Sequence, residues 1–172
     1  MSLFARWLGR EPDPREALRP LWHRVVALAR EPGWYAKGGV ADTVAGRFDM
    51  IALITALVLL RMDGDPALRG PSARLTELFA EDMDGQLRQS GVGDLVVGKR
   101  MAKLMGALGG RIEALRSALA ASDDAALRAT VERNVTLIEG GDLAEVAAEV
   151  RVVAGQLAAL DNPALLAARI ER

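Results

Sequence analysis

The sequence predicts an all-α protein folded as a single compact domain of about six to eight helices, and three observations carry that reading. Apolar residues fill 51% of the 172 positions while aromatics supply only 4%, so Ala, Leu and Val on helices must build the core. Apolar residues recur at helical spacing, as in Leu18, Leu21, Trp22, Val25 and Val26. Pro, Gly and Asp punctuate these windows where helices should start and stop, with no internal repeat and no linker long enough to divide domains. A chain of this length buries roughly 70% of the surface its unfolded form exposes, enough for a real core.

Taken in order, residues 1–12 form an N-terminal amphipathic segment and residues 13–172 the helical domain. In the segment, Leu3, Phe4, Trp7 and Leu8 share one helical face with Arg6 and Arg10 beside it. Such a face suits a membrane surface; the plainer reading is a short helix docked on the domain itself or simply a frayed terminus. Asp13 reads as an N-cap with Pro14 at the first helical position and Glu16 three residues past the cap. That helix should be kinked at Pro20 and end near Glu31-Pro32-Gly33. Trp34 and Tyr35 lie in a short segment closed by Gly38-Gly39. Asp42 is the expected cap of a long helix to about Arg61, ended by Asp63-Gly64-Asp65-Pro66. Its apolar run from Met50 to Leu60 is eleven residues, well short of a membrane span, so a buried core helix is expected.

A further helix should start at Pro71 or Ser72, turn Leu75, Leu78, Phe79, Met83 and Leu87 inward, and end at Ser90-Gly91. Gly91 suits the left-handed residue after a helix, and Asp94 is the expected cap of the next helix, which runs to about Ala121. Within it Gly98, Gly106, Gly109 and Gly110 either weaken the helix or let another approach closely. Ser122-Asp123-Asp124 hands over to a helix carrying Leu127, Val131 and Val135, which stops before Gly140-Gly141. Asp142 and Glu145 form a capping box for a helix with Val146, Val150, Val153 and Leu157 inside, and Asp161-Asn162-Pro163 restarts the chain.

Composition argues against side-chain catalysis. There is no Cys, which removes disulfides, thiolate nucleophiles and thiolate metal sites, and the single imidazole, His23, has no nucleophile or orienting carboxylate at a recognisable spacing. No cofactor is expected. The net charge of -1 does not favour direct nucleic-acid binding. Charge is uneven along the chain: bases exceed acids over residues 1–40 and acids exceed bases over residues 121–172. No secretory h-region is visible, so export is not expected.

Two charged clusters stand out. Glu81, Asp82 and Asp84 are the densest acids, and their spacing suits a solvated or partner-facing helix better than a cation site, since Asp82 and Asp84 point to different sides. Lys99, Arg100 and Lys103 are the matching bases, either paired with those acids across the helix hairpin, simply solvated, or left for a partner. Gly98-Lys99-Arg100 is no P-loop, because no Gly-Lys-Ser or Gly-Lys-Thr occurs. Met50, Met62, Met83, Met101 and Met105 suit core filling or an adaptable apolar surface.

Two segments carry a family likeness. Tyr35 to Ile51 (YAKGGVADTVAGRFDMI) and Phe79 to Arg111 (FAEDMDGQLRQSGVGDLVVGKRMAKLMGALGGR) resemble the signature blocks of the ubiquinol-cytochrome c chaperone family, through Gly39-Val40, Asp42-Thr43, Arg47-Phe48-Asp49-Met50, Asp82-Met83-Asp84, Leu87-Arg88, Gly91-Val92-Gly93-Asp94 and Gly98-Lys99. The likeness covers about residues 20–115, the last third matching only in helical character. It implies a non-catalytic helical factor that holds newly made cytochrome b while the respiratory ubiquinol-cytochrome c reductase (complex III) is assembled. Mitochondrial members work near the ribosome exit with a small partner protein. Three Lys against nineteen Arg, and no transit peptide, suggest a bacterial member in the cytoplasm, with peripheral contact at the inner face of the membrane as an option. Where the family shows an aromatic-rich Ala-Phe-Tyr-Gly-Arg, this chain has Ala107-Leu108-Gly109-Gly110-Arg111.

The residues expected to meet a partner are Phe48, Asp49 and Met50 on one face, with Asp82, Asp84, Arg88, Gly91, Gly93, Asp94, Lys99 and Lys103 along the hairpin. The competing reading is a generic helical interaction or scaffold protein at the ribosome or a membrane surface.

Overall fold

The structure is a computed structural model that describes residues 13–89, 91 and 93–171, the side chains of Asp94 and Leu95 excepted. The N-terminal amphipathic segment of residues 1–12 lies outside the described residues. Eight α-helices are described: α1 (Arg19–Ala29), α2 (Pro32–Ala36), α3 (Val44–Met62), α4 (Arg69–Gln89), α5 (Asp94–Ala120), α6 (Ala125–Asn134), α7 (Leu143–Ala159) and α8 (Asn162–Leu166). Among the described residues there is no β-strand beyond one isolated antiparallel bridge between Val40 and Leu137.

The apolar run of α3 decides the arrangement. Every residue from Met50 to Leu59 is buried, so this helix must be covered on all sides, and α1, α4, α5 and α7 pack around it. Among the described residues no helix is long and apolar enough to cross a membrane. Met50, Met62 and Met83 are core residues, and Met101 and Met105 pack half-buried against that core, so these thioethers serve as filling. Trp22 and Phe79 join α1 to α4 edge to face, their ring centroids 6.1 Å apart.

Several helix starts differ from the sequence reading, each for a local reason. The cap of α3 is Thr43 rather than Asp42: in an extended conformation the Thr43 hydroxyl accepts from the Gly46 N–H at 3.2 Å, while Asp42 is taken by the Arg47 guanidinium at 2.6 Å. Pro20 does not kink a helix but begins one. The chain from Asp13 makes a 3-10 turn over Glu16–Leu18, and α1 then starts with Pro20 in its first turn, where no amide hydrogen is needed. Asp13 accepts from the backbone N–H of Arg15 at 2.9 Å and also holds its guanidinium. Helix α4 begins at Arg69, ahead of Pro71, after a 3-10 turn over Pro66–Leu68 that Asp65 caps. Gly93, not Asp94, caps α5, and its carbonyl accepts from Val96 and Val97.

The last third closes the core and grips the first family-like block. Ala41 donates to the carbonyl of Thr136 (2.9 Å), Ile138 to Gly39 (2.8 Å) and Asp142 to Gly38 (3.0 Å). Gly39 has a φ of +70°, and a Cβ there would lie 2.6 Å from the Cα of Gly141, so both backbone shape and close approach require glycine. Asp142 caps α7 through the Glu145 N–H at 3.0 Å, but the return arm of the expected box is absent, because the Asp142 amide is spent on Gly38. Asp161 caps α8. At the end of α7, Arg61 reaches across from α3 to donate to the carbonyls of Leu157 and Leu160, which satisfies groups a helix end otherwise leaves free.

Candidate functional site

The longest helices, α4 and α5, form a hairpin that extends from the core. Hydrophobic residues anchor it: Leu75, Leu78, Phe79 and Met83 on α4, and Val97, Leu108, Leu115 and Ala118 on α5, are buried. The turn between them rests on Gly91, whose φ of +82° is the left-handed conformation expected after a helix, and whose amide donates to the Arg88 carbonyl at 3.0 Å. Gly93 has an ordinary extended backbone, and nothing lies within 4 Å of where its Cβ would be. The two glycines thus have separable roles, one conformational and one not. The side chain of Asp94 lies outside the described residues.

The two charged clusters do not meet. On α4, Glu81 accepts from Arg15 at 3.0 Å, Asp82 from Gln86 at 3.0 Å, and Asp84 pairs with Arg88 one turn on at 2.7 Å. Lys99, Arg100 and Lys103 on α5 are exposed and make no ion pair among the described residues. Pairing across the hairpin is therefore not found among the described residues, which leaves solvation or a partner for these bases. Beside them Val96 is exposed at 46%, and Gly98, Gly106, Gly109 and Gly110 face open space with nothing within 4 Å of a Cβ. These glycines do not serve the approach of another helix of the domain. They leave the outer surface of α5 low, and the stretch between Asp94 and Glu113 carries bases and no acid.

The expected face at Phe48, Asp49 and Met50 is mostly turned inward. Met50 has no exposed surface, so it presents nothing to a partner, and Phe48 packs half-buried on the core. Asp49 joins three elements. One carboxylate oxygen accepts from Arg111 of α5 at 3.1 Å, and the other from the amide and hydroxyl of Thr136 at 3.1 and 2.7 Å. Arg111 also donates to the side chain and backbone carbonyl of Asn134 at the end of α6. The sequence reading overlooked Arg111 as an anchor. Its signal was present, since it closes the second family-like block just where the aromatic residues are replaced by glycines.

A groove of about 620 Å³ lies between α1 and α4, with His23, Trp22 and Val26 on one side and Leu78, Glu81 and Asp82 on the other. His23 is exposed at its edge. Among the described residues no group of three or more His, Asp or Glu side chains is placed to hold a metal ion.

These features define an all-helical protein whose distinctive surface is a charged hairpin on a tightly tied core. A sequence profile described as Ubiquinol-cytochrome C chaperone matches residues 36–172, and the chain belongs to that family. The match runs through the last third, further than the two blocks suggested, which agrees with the backbone bonds that tie residues 38–41 to 136–142. A solved structure described as the Cbp3 homolog from Brucella abortus is similar to this chain with a TM-score of 0.80 and 33% identity, over 98% of this chain and 93% of that one. No curated protein sequence matches.

Proposed function

We propose that this protein is a non-catalytic chaperone that holds newly made cytochrome b while the ubiquinol-cytochrome c reductase is assembled. Membership of the chaperone family supports the general role, and the observation that carries the finer reading is that Lys99, Arg100 and Lys103 of α5 are exposed and make no ion pair among the described residues. A membrane client awaiting its cofactors and neighbours exposes apolar helix faces and charged connecting loops. A partner that holds it without inserting needs a low surface for the helix and fixed charges for orientation. The outer side of α5 offers both. Gly106 and Gly110, one turn apart, let a helix approach closely, while Lys99, Arg100 and Lys103 meet acidic or carbonyl groups at one end. Asp84, Arg88 and Gly93 complete the neighbouring edge, while Asp82, bonded to Gln86, lies on the other side of α4 at the groove shared with α1. Gly91 and Asp49 act beneath this surface, setting the turn and locking α5 to the core.

The deciding experiment is a clean gene deletion read by difference spectroscopy of membranes. The b-type haem signal and reductase activity should fall while other respiratory complexes remain. Unchanged spectra and activity would remove cytochrome b as the client.

A further inference from the structure

The groove between α1 and α4 has a candidate occupant in the chain itself. Asp13, the first described residue, is bound to Arg15, and Arg15 donates to Glu81 at 3.0 Å, on the groove's rim. The chain therefore enters the described structure beside this groove. Twelve residues precede that point, and only Glu11 and Pro12 separate it from the amphipathic stretch Leu3 to Arg10. From Arg19 to Arg30 the groove extends about 16 Å at the helical rise, and a helical stretch from Leu3 to Arg10 would measure about 10 Å.

The chemistry also matches. Leu3, Phe4, Trp7 and Leu8 would share one face at helical spacing, and Arg6 and Arg10 would both fall along the same side of that face. The groove has half-buried Val26 over buried Trp22 and Leu78; its α4 wall carries the acids Glu81, which also meets Arg15, and Asp82 with no base, while Arg19 and Arg30 stand on the α1 side. Gly85 on that wall has open space where a Cβ would stand, which leaves room for an aromatic ring. We infer that the N-terminal segment of this chain docks in the groove between α1 and α4, its apolar face on Val26 and Trp22 and its arginines toward Glu81 and Asp82. The segment then covers His23 and part of α4. This holds whatever the client is.

The chain has no Cys, so a nitroxide can be placed at one position in the full-length protein. With the label on Trp7→Cys, the amide signals of His23, Val26 and Gly85 should broaden while those of Leu127 and Val131 on α6 stay sharp. The same pattern must persist when labelled chain is diluted with unlabelled chain, because the contact is within one molecule. A second measurement needs no label: His23 is the only histidine, and its reaction with diethyl pyrocarbonate should speed up severalfold in Phe4→Asp/Trp7→Asp relative to the unchanged chain. Weak, uniform broadening with equal His23 reactivity would overturn the inference. So would broadening seen only between molecules, which means a second copy supplies the segment, or seen nowhere until anionic phosphatidylglycerol vesicles are added, which means its partner is the membrane surface.

Discussion

The guanidinium of Arg111 and the carboxylate of Asp49 meet at 3.1 Å with little of either side chain exposed, 11% and 24%, and thereby tie α5 to α3 and, through Thr136 and Asn134, to the end of α6. Removing the acid leaves a largely buried guanidinium and two Thr136 donors without their acceptor. Asp49→Ala should cost about 2 kcal/mol in urea unfolding, given that the pair is partly solvated. Arg111→Lys should cost a comparable amount, because an ammonium cannot address Asp49 and Asn134 in one plane. Both variants, once folded at low temperature, should still capture client, which a pulldown checks.

The reverse pattern is expected on α5. Lys99 and Lys103 are exposed and have no ion-pair partner among the described residues, so Lys99→Glu/Lys103→Glu should change stability by under about 0.5 kcal/mol. Client binding should weaken by at least about tenfold, the equivalent of about 1.4 kcal/mol. Thermal melts beside pulldowns separate the two effects; equal loss of both would make these lysines structural.

Gly91 and Gly93 should part company. At a φ of +82° a Cβ is disfavoured, so Gly91→Ala should cost about 1 kcal/mol although open space surrounds it. Gly93→Ala meets neither strain nor contact, and its melting temperature should stay near that of the unchanged protein. If Gly93 is glycine to admit a partner's backbone, that variant loses client binding alone. An early melt with normal binding would assign the turn wholly to architecture.

The Arg15 guanidinium, with its backbone amide, holds the Asp13 carboxyl down to about 2 against an ordinary value of 3.8. A depressed folded pKa means that the link contributes above pH 3.8 and is lost as the pH falls from there toward 2. Following the Asp13 carboxyl by carbon NMR, Arg15→Gln should raise its midpoint toward the ordinary value without reaching it, because the amide of residue 15 still donates. An unmoved midpoint would show that Arg15 does not hold the carboxyl.

Helix identity was legible in the sequence because Ala- and Leu-rich periodicity and capping residues are local signals, as Asp142 and Asp161 show. The misplaced start of α3 shows what a local reading cannot see. Where two cap-competent residues adjoin, as Asp42 and Thr43, the choice depends on which is drawn off by a neighbour, and Arg47 draws off Asp42. Asp49 was read as a surface group because its partners lie far away in sequence, at Arg111 and Thr136. Likewise nothing local announces that residues 38–41 bond to 136–142, a connection made by backbone groups and marked only by Gly39 and Gly141. Lys99, Arg100 and Lys103 were seen, but that they pair with no acid among the described residues follows only from where α4 spends its acids.

The central claim is that a cytochrome b not yet built into its complex is held by the outer side of α5. Its most direct measurement is purification of the tagged protein from solubilised membranes, unchanged and as Lys99→Glu/Lys103→Glu, with associated proteins identified by mass spectrometry. The account predicts cytochrome b with the unchanged protein, free of the other reductase subunits, and its loss from the variant at equal protein level. Recovery of ribosomal proteins without cytochrome b, or equal recovery of cytochrome b with both proteins, would contradict it.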